Sequence, residues 1–328
     1  MADPLRTYIY HAAMLVFSSL GTLSNLATVC AILLNKALRK EQHIFTFNMA
    51  LADCISAVSM FIFNLYEIPE DLFEIGEDSW IESLGTTGLL ISILSTLAIA
   101  FERLIILRID ALGSRRIVTA RRSIAVCVVV WIVVPVIYFL ILGFNLFNSP
   151  ISEALGNVVF SCIILSSLLI TAICYILIYK NITTISENVG LNDAALQRRA
   201  KNSKKVLVTF ALVVASTSVC WIIMCCIVFV DYILYVYYHQ DHRETLWFLV
   251  LFEIANVLII INAILNPVII WLRLTDFRAQ LRACFERLGC RKTHESQNSS
   301  HVTLNLATTT TNRSVSTTNI VMHDIRVN

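Results

Sequence analysis

The chain has 328 residues, 57% of them hydrophobic and only 15% charged, with a mean hydropathy of +0.73. Soluble domains carry about 25% charged residues, so these values exclude an ordinary water-soluble protein and point to a polytopic membrane protein. The formal net charge of +2 says little by itself, whereas the placement of the charges says much more.

Seven apolar runs have spanning length: 9–34, 44–66, 84–107, 123–142, 158–179, 206–230 and 246–272. The first is too long for a cleavable signal peptide and lacks a small-residue cleavage pattern, so it is expected to insert as a signal anchor. The intervals between runs alternate in sign. Residues 35–43 carry Lys36, Arg39 and Lys40, and 67–82 carry seven acids and no base. Residues 103–122 hold six arginines, 145–157 a single glutamate, and 180–205 six bases. Residues 231–244 are acidic on balance, and 273 to the end hold eight bases. Of 25 Lys and Arg, 23 therefore fall in alternate segments. By the positive-inside rule those segments are cytoplasmic and the N-terminus is outside, a pattern that seven spans satisfy. All ten cysteines lie in apolar runs or near the C-terminal tail, so no external disulfide is expected.

The third run organises the rest. Asp78 and Glu82 are four apart and share a helix face. No charge follows from Leu84 to Phe101, and then Glu102 and Arg103 appear. Glu82 to Arg103 covers about 30 Å of helix, the thickness of a bilayer core. Gly85, Ser92, Thr96 and Arg103 form a small and polar stripe that should face protein rather than lipid.

After the last run, RLTDFRAQLRACFERLGC places Phe277, Leu281, Phe285 and Leu288 at helical spacing among arginines. That predicts an amphipathic helix lying on the inner leaflet. Its Cys284 and Cys290 are either palmitoylated or plain buried thiols. From Thr293 to Thr318 the tail has thirteen Ser/Thr and cannot bury a core, so disorder is expected. The sequons at Asn181, Asn298 and Asn312 fall on the cytoplasmic side and should stay unmodified. The expected fold is an all-α membrane protein, a seven-transmembrane helix bundle with a C-terminal interfacial eighth helix. Its parts are a short extracellular N-terminus (1–8), the bundle (9–272), the eighth helix (273–290) and the tail (291–328).

A charge inside a span is costly and is a functional hypothesis by default. Asp53 sits in the middle of the second run, with Asn25, Ser92, Asn262 and Asn266 at comparable depth in other runs. One reading is a hydrogen-bond cluster that fixes packing. The other is an oxygen site for a small cation such as sodium.

Several of these residues together resemble the rhodopsin-like (class A) G-protein-coupled receptors over about residues 9–290. Asn25 in GTLSN, the Leu-Ala-Asp ending at Asp53, Glu102-Arg103, Trp131, Cys220-Trp221 and Asn266-Pro267 each match that family's marker for a different helix. Phe277-Arg278 follows where its eighth helix begins. The resemblance implies that Asp53, Ser92, Asn262 and Asn266 form a sodium pocket and that Arg103 meets the G protein once the sixth helix swings away. It implies a switch at Trp221, in place of a plain core tryptophan, and matches Tyr175 to the family's inner tyrosine of the fifth helix. The chain is most similar to the melanocortin, cannabinoid and lysophospholipid receptor group. RIVTARRSIAVCVVVW resembles the cannabinoid entry to the fourth helix, and Asp78 and Glu82 match two melanocortin acids that bind calcium and a basic peptide. Phe63 stands where that group has a third acid, and Glu67 lies one turn further out.

Other departures concern the switches. Leu104 replaces the Tyr that usually follows Arg, Ile223 the sixth-helix proline, and Ile270 the tyrosine of NPxxY. Arg198, Arg199, Lys201, Lys204 and Lys205 surround Ser203, so no acid at the foot of the sixth helix pairs with Arg103. Gly85 replaces the aspartate of amine receptors, the seventh run has no retinal lysine, and the short N-terminus leaves no room for a hormone-binding ectodomain.

The acids of 67–82 are either a solvated loop or a site for a cationic peptide, with or without calcium. Glu253, near the outer end of the last run, is a ligand candidate or faces water. The leading expectation is a plasma-membrane receptor for an extracellular peptide or lipid, activating a heterotrimeric G protein and binding arrestin through a phosphorylated tail. Its partners include membrane lipids and no nucleic acid. Sodium, and calcium with a ligand, are the only expected cofactors. A seven-span transporter or channel is the runner-up, though few glycines within spans and no evident repeat speak against it. An enzyme comes last, because the one deep acid has no catalytic partner.

Overall fold

The computed structural model describes residues 4–67, 80–108, 117–142, 150–188, 194–238 and 245–288. They form α1 (Pro4–Leu34), a 3₁₀ turn (Glu41–His43), α2 (Ile44–Glu67), α3 (Trp80–Arg108), α4 (Ala120–Leu142), α5 (Pro150–Asn188), α6 (Ala194–Tyr238), α7 (Leu246–Arg273) and α8 (Thr275–Leu288). Seven of these helices are long and apolar enough to cross a membrane. Each contains one of the expected runs.

The helices outlast the runs. Pro4 opens α1 and Pro150 opens α5, positions where the missing N–H is no loss and the fixed φ suits a helix. At the other margin α5 reaches 39 residues and α6 45. The polar start of α6, AALQRRAKNSKK, is rich in good helix formers, so the backbone stays helical where the apolar pattern is absent.

Burial is inverted relative to a soluble bundle, as hydrocarbon solvent requires. Val128, Val129, Ile132 and Val136 of α4 are exposed, whereas Ser18, Asn25, Asp53 and Ser56 are buried. Four apolar clusters fill the interior around that polar seam, the smallest being Ile227, Phe248 and Ala255. One, near Arg103, holds Phe45, Ile99, Tyr175, Phe210, Ile270 and Phe277. A second packs Leu89, Ile93, Ile164, Trp221 and Ile259, and a third packs Met14, Ala57, Ile260 and Ala263.

Two local features set the helix positions. The first is a close approach of α3 to α2. A Cβ on Gly88 would fall on Ser56 Oγ and 2.9 Å from the Ala52 carbonyl oxygen, while Ser56 Oγ donates to the Gly85 carbonyl at 2.8 Å. The second is Pro267 inside α7, whose ring nitrogen cannot bond the carbonyl four residues back. That carbonyl belongs to Ala263, and Asn25 Nδ2 of α1 donates to it at 2.8 Å. The sequence break between α7 and α8 is one extended residue, Leu274.

Through Arg278 the chain forms one compact unit, and Ala279 begins a second whose described part is the remainder of α8. The side chain of Cys284, and Cys290 with the Ser/Thr tail, lie outside the described residues.

Candidate functional site

Polar side chains collect at three levels of the bundle. At mid-depth Asn266 Nδ2 of α7 donates to Asp53 Oδ2 of α2 at 2.9 Å, with both residues buried. The Ser92 hydroxyl of α3 borders the same carboxyl. Asp53 Oδ1, Asn266 Oδ1 and Asn25 Oδ1 are buried without a hydrogen-bond partner. Unpaired oxygens at this depth carry a large desolvation cost unless something electropositive meets them. Of the five residues expected here, Asp53, Asn266 and Ser92 come together. Asn25 spends its amide on the Gly21 and Ala263 carbonyls instead, at 2.9 and 2.8 Å. Asn262 turns its oxygen to Thr217 Oγ1 of α6, 3.0 Å away.

Next to this level, Trp131 Nε1 of α4 donates to Asn48 Oδ1 at 2.8 Å, and Asn48 Nδ2 donates to Ser95 Oγ at 2.7 Å. One amide thus joins α4, α2 and α3. Trp221 lies buried beside Phe160, their rings 6.5 Å apart and tilted, and its indole N–H has no acceptor. Pro267 is buried in α7.

The second level is the Arg103 end. Arg103 Nη2 donates to the Gln42 carbonyl at 3.3 Å, and its guanidinium lies 5.9 Å from the Phe210 ring of α6. Glu102 is 3.9 Å away, a long ion pair, and its buried carboxylate oxygens accept no hydrogen bond. Tyr175 is buried in the cluster around Phe210, within electrostatic reach of Arg103, and its hydroxyl is unpartnered. Gln42 belongs to the 3₁₀ turn, which is pinned to α8. Lys40 Nζ lies 2.6 Å from Asp276 Oδ2, with His43 Nε2 at 3.4 Å and Gln42 Nε2 at 3.5 Å from the same oxygen. Partial burial pushes the Asp276 carboxyl up, but the hydrogen bonds and charges of Lys40 and His43 outweigh it and hold it below its ordinary value.

The third level is the Glu82 end. Glu253 of α7 pairs with Arg6 Nη2 of α1 at 3.5 Å, and each side chain is about four-fifths buried, with 20% and 18% exposed. His11 Nδ1 lies 2.9 Å from Asn64 Oδ1 of α2. Glu82 is exposed in the first turn of α3, and Tyr10 of α1 feels the charge of both Glu253 and Glu82. Two of the four acidic ligand candidates therefore act electrostatically on one tyrosine. The Glu67 side chain and Asp78 lie outside the described residues, and with Asp78 the expected calcium pair.

Sequence reasoning did not single out Arg6, Gln42, Asn48, Asn64, Gly88, Ser95, Thr217 or Asp276. Asn48 and Asn64 carried a usable signal, since an amide inside a span needs a partner. The Gln42 carbonyl carried none, because backbone acceptors have no sequence signature.

The family described as 7 transmembrane receptor (rhodopsin family) matches residues 24–270, from the first helix to the last. That stretch contains the Asp53–Asn266 bond between α2 and α7, the Trp131–Asn48 bond and the Glu102-Arg103 end of α3. This multi-pass membrane protein belongs to the rhodopsin family of seven-transmembrane receptors.

Proposed function

We propose that the protein is a plasma-membrane G-protein-coupled receptor whose ligand enters at the Glu82 end and whose G protein binds at the Arg103 end. The observation that carries this is the setting of Arg103. It is a partly exposed cation at a helix mouth, held by a backbone carbonyl and covered by one aromatic ring of α6. Tilting α6 would lift Phe210 away and release the guanidinium. Ligand binding would shift the bundle between those two arrangements through its higher affinity for one of them. The alternating charge of the chain supports an orientation with the Glu82 end outside and the C-terminus in the cytoplasm, where the tail would recruit arrestin once phosphorylated.

The ligand we favour is a basic peptide of the melanocortin-receptor kind, supported by Glu82 and Glu253, whose charges both reach Tyr10. A lipid, as in the cannabinoid and lysophospholipid receptors, is the second reading, supported by the likeness of the stretch leading to Trp131. The family match makes the transporter reading unfavoured. Asp53, Asn266 and Ser92 would hold sodium, since the orphaned carboxylate and amide oxygens suit a hard cation.

Nucleotide exchange on heterotrimeric G proteins, in membranes carrying wild type or Arg103→Ala, tests the central claim. Arg103-dependent exchange is expected. Its absence at every expression level and with every peptide and lipid tried, together with solute flux, would refute it. Thermal stability in sodium against choline chloride tests the cation site. Sodium should stabilise wild type and not Asp53→Asn.

A further inference from the structure

Arg103 has no carboxylate to hold it from α6, because no Asp or Glu occurs between Ala194 and Val230. Its Glu102 neighbour is at 3.9 Å, too far for a hydrogen bond. Its acceptor among the described residues is the Gln42 carbonyl, at 3.3 Å. A backbone carbonyl restrains a side chain only if its own segment is fixed, and the Glu41–His43 turn is one short 3₁₀ piece between α1 and α2. What fixes it comes from the start of α8. Asp276 Oδ2 receives Lys40 at 2.6 Å on one flank of Gln42 and faces His43 at 3.4 Å on the other, with the Gln42 amide at 3.5 Å between them. His43 is buried with its ring edge-on to Phe277, and Phe277 is edge-on to Trp271, whose indole N–H donates to Thr28 at 2.8 Å. The turn is thereby clamped between α1, α7 and the first turn of α8.

We propose that Asp276 is the positioning residue for Arg103: by clamping the Lys40–His43 turn it holds the Gln42 carbonyl as a fixed acceptor, so that the α8 junction, rather than an acid on α6, restrains Arg103 in the resting receptor. Release of the clamp frees the guanidinium without any ligand. Arg103 then spends more time detached from Gln42, and Phe210 loses the cation beneath it. Anything that draws Lys40 or His43 away from Asp276, including a transducer docking on this corner, would act in the same direction.

The inference rests on the G-protein-coupling reading of Arg103, and two measurements separate the two. The first is ligand-independent nucleotide exchange in membranes, normalised to receptor density, for wild type, Asp276→Ala, Lys40→Met, and the charge exchange Lys40→Asp with Asp276→Lys. Asp276→Ala and Lys40→Met should raise basal exchange about fivefold, the lower range of a coupling between sites. Adding Arg103→Ala should abolish the gain, and the charge exchange should bring basal activity back towards wild type. The second is the distance between spin-labelled unnatural amino acids at the exposed Lys36 and Val208 positions. It needs no G protein, and Asp276→Ala should shift it to longer values. Arg103-dependent exchange that is unchanged by both Asp276→Ala and Lys40→Met would overturn the proposal while leaving the coupling reading intact. Where no variant catalyses exchange, the coupling reading fails, and the spin-label distance decides: an unchanged distribution overturns the clamp. Lys40→Met keeps the test open should Asp276→Ala fail to reach the membrane.

Discussion

Alanine at Gly88 and alanine at Gly85 should have different consequences, although both glycines lie on α3 where it meets α2. At Gly88 the new methyl would fall on Ser56 Oγ and 2.9 Å from the Ala52 carbonyl, with Ser56 N at 3.3 Å. The hydroxyl can rotate away, but then its bond to the Gly85 carbonyl is lost; the Ala52 backbone cannot rotate at all. Overpacking of this kind costs about 1–3 kcal/mol, and an interhelical hydrogen bond in a membrane is worth about 0.6 kcal/mol. Replacing glycine by alanine inside a helix returns about 1 kcal/mol. The net is a destabilisation of about 0.6–2.6 kcal/mol. At Gly85 the tightest neighbour is Met60 Cε at 3.1 Å, the far end of a flexible chain, with Ser59 Cβ at 3.3 Å. Methionine can move, so the helix-propensity gain roughly cancels the strain and the change should stay within about 0.5 kcal/mol.

The assay is thermal unfolding of the purified receptor in detergent, where the Gly88 variant should melt about 5 °C lower at about 2–4 °C per kcal/mol. Ser56→Ala in the Gly88→Ala background should recover part of the loss, because it removes the Oγ clash and leaves the Ala52 contact. Equal melting of both single variants, or a larger loss at Gly85, would refute the argument that backbone proximity decides the outcome.

The polar ties give three more expectations. Asn25→Ala should cost about 1–2 kcal/mol by stripping the Ala263 carbonyl of its donor. In a Pro267→Ala background the restored N–H can serve that carbonyl, so the same change should cost half as much or less in a double-mutant cycle; an equal cost would contradict the account. Asn48→Ala leaves the Trp131 N–H without its acceptor and also breaks the bond to Ser95, whereas Trp131→Phe breaks one bond and orphans only Asn48 Oδ1. The first should therefore cost about 2 kcal/mol and the second about 1 kcal/mol, and the reverse order in thermal melts would be decisive against it. For the Asp276 clamp the sign follows from a carboxyl held below its ordinary 3.8 in the folded protein. Its stabilisation is complete above 3.8 and fades as pH falls through the folded value. The melting difference between wild type and Asp276→Asn should thus be the same at neutral pH and at about pH 5, and a difference already gone at pH 5 would refute the assignment.

The seven spans were legible because hydrocarbon admits only long apolar segments, and each run marks where lipid contacts the chain. Helix ends were not, since nothing in LQRRAKNSKK breaks a helix and solvent replaces lipid there without changing the backbone. The Asp53 contact was legible because a carboxylate in a span must be met by something, and Asn266 meets it. Asn25 was legible as a buried amide, but not the carbonyl its Nδ2 would find. The hint of that carbonyl was Pro267, which orphans the one four residues back. Asn262 and Thr217 could not be matched, because which partner an amide finds depends on how far each helix is rotated. Arg6 with Glu253 was out of reach for the same reason: a base before the first run and an acid near the start of the last gain meaning only when α1 and α7 are side by side.

The kinds of bond differ between the helices. Asn25 to Ala263 and Trp271 to Thr28 join α1 with α7, Asp53 to Asn266 joins α2 with α7, and Asn48 joins α2 with α3 and α4. All are amide, indole or carboxylate bonds between 2.7 and 2.9 Å. Three ties of α6 are softer. Thr217 offers Asn262 a hydroxyl that can re-form its bond after a rotation, Cys225 reaches the Ser161 carbonyl through sulfur at 4.0 Å, and Phe210 meets Arg103 only as a ring beneath a cation. An exposed cation–π contact is worth about 0.5–1 kcal/mol, less than breaking a buried hydrogen bond with nothing to replace it. Ile223 in place of a proline leaves α6 without a covalent cause for a kink. A continuous rod of 45 residues with no proline in it tilts as a body rather than bending locally. Its most adaptable polar contact, Thr217 with Asn262, lies between Trp221 and Phe210, so a tilt about that point moves Trp221 and Phe210 in opposite directions. That lever would connect an event at the Glu82 end to the guanidinium of Arg103 without the proline hinge this chain lacks.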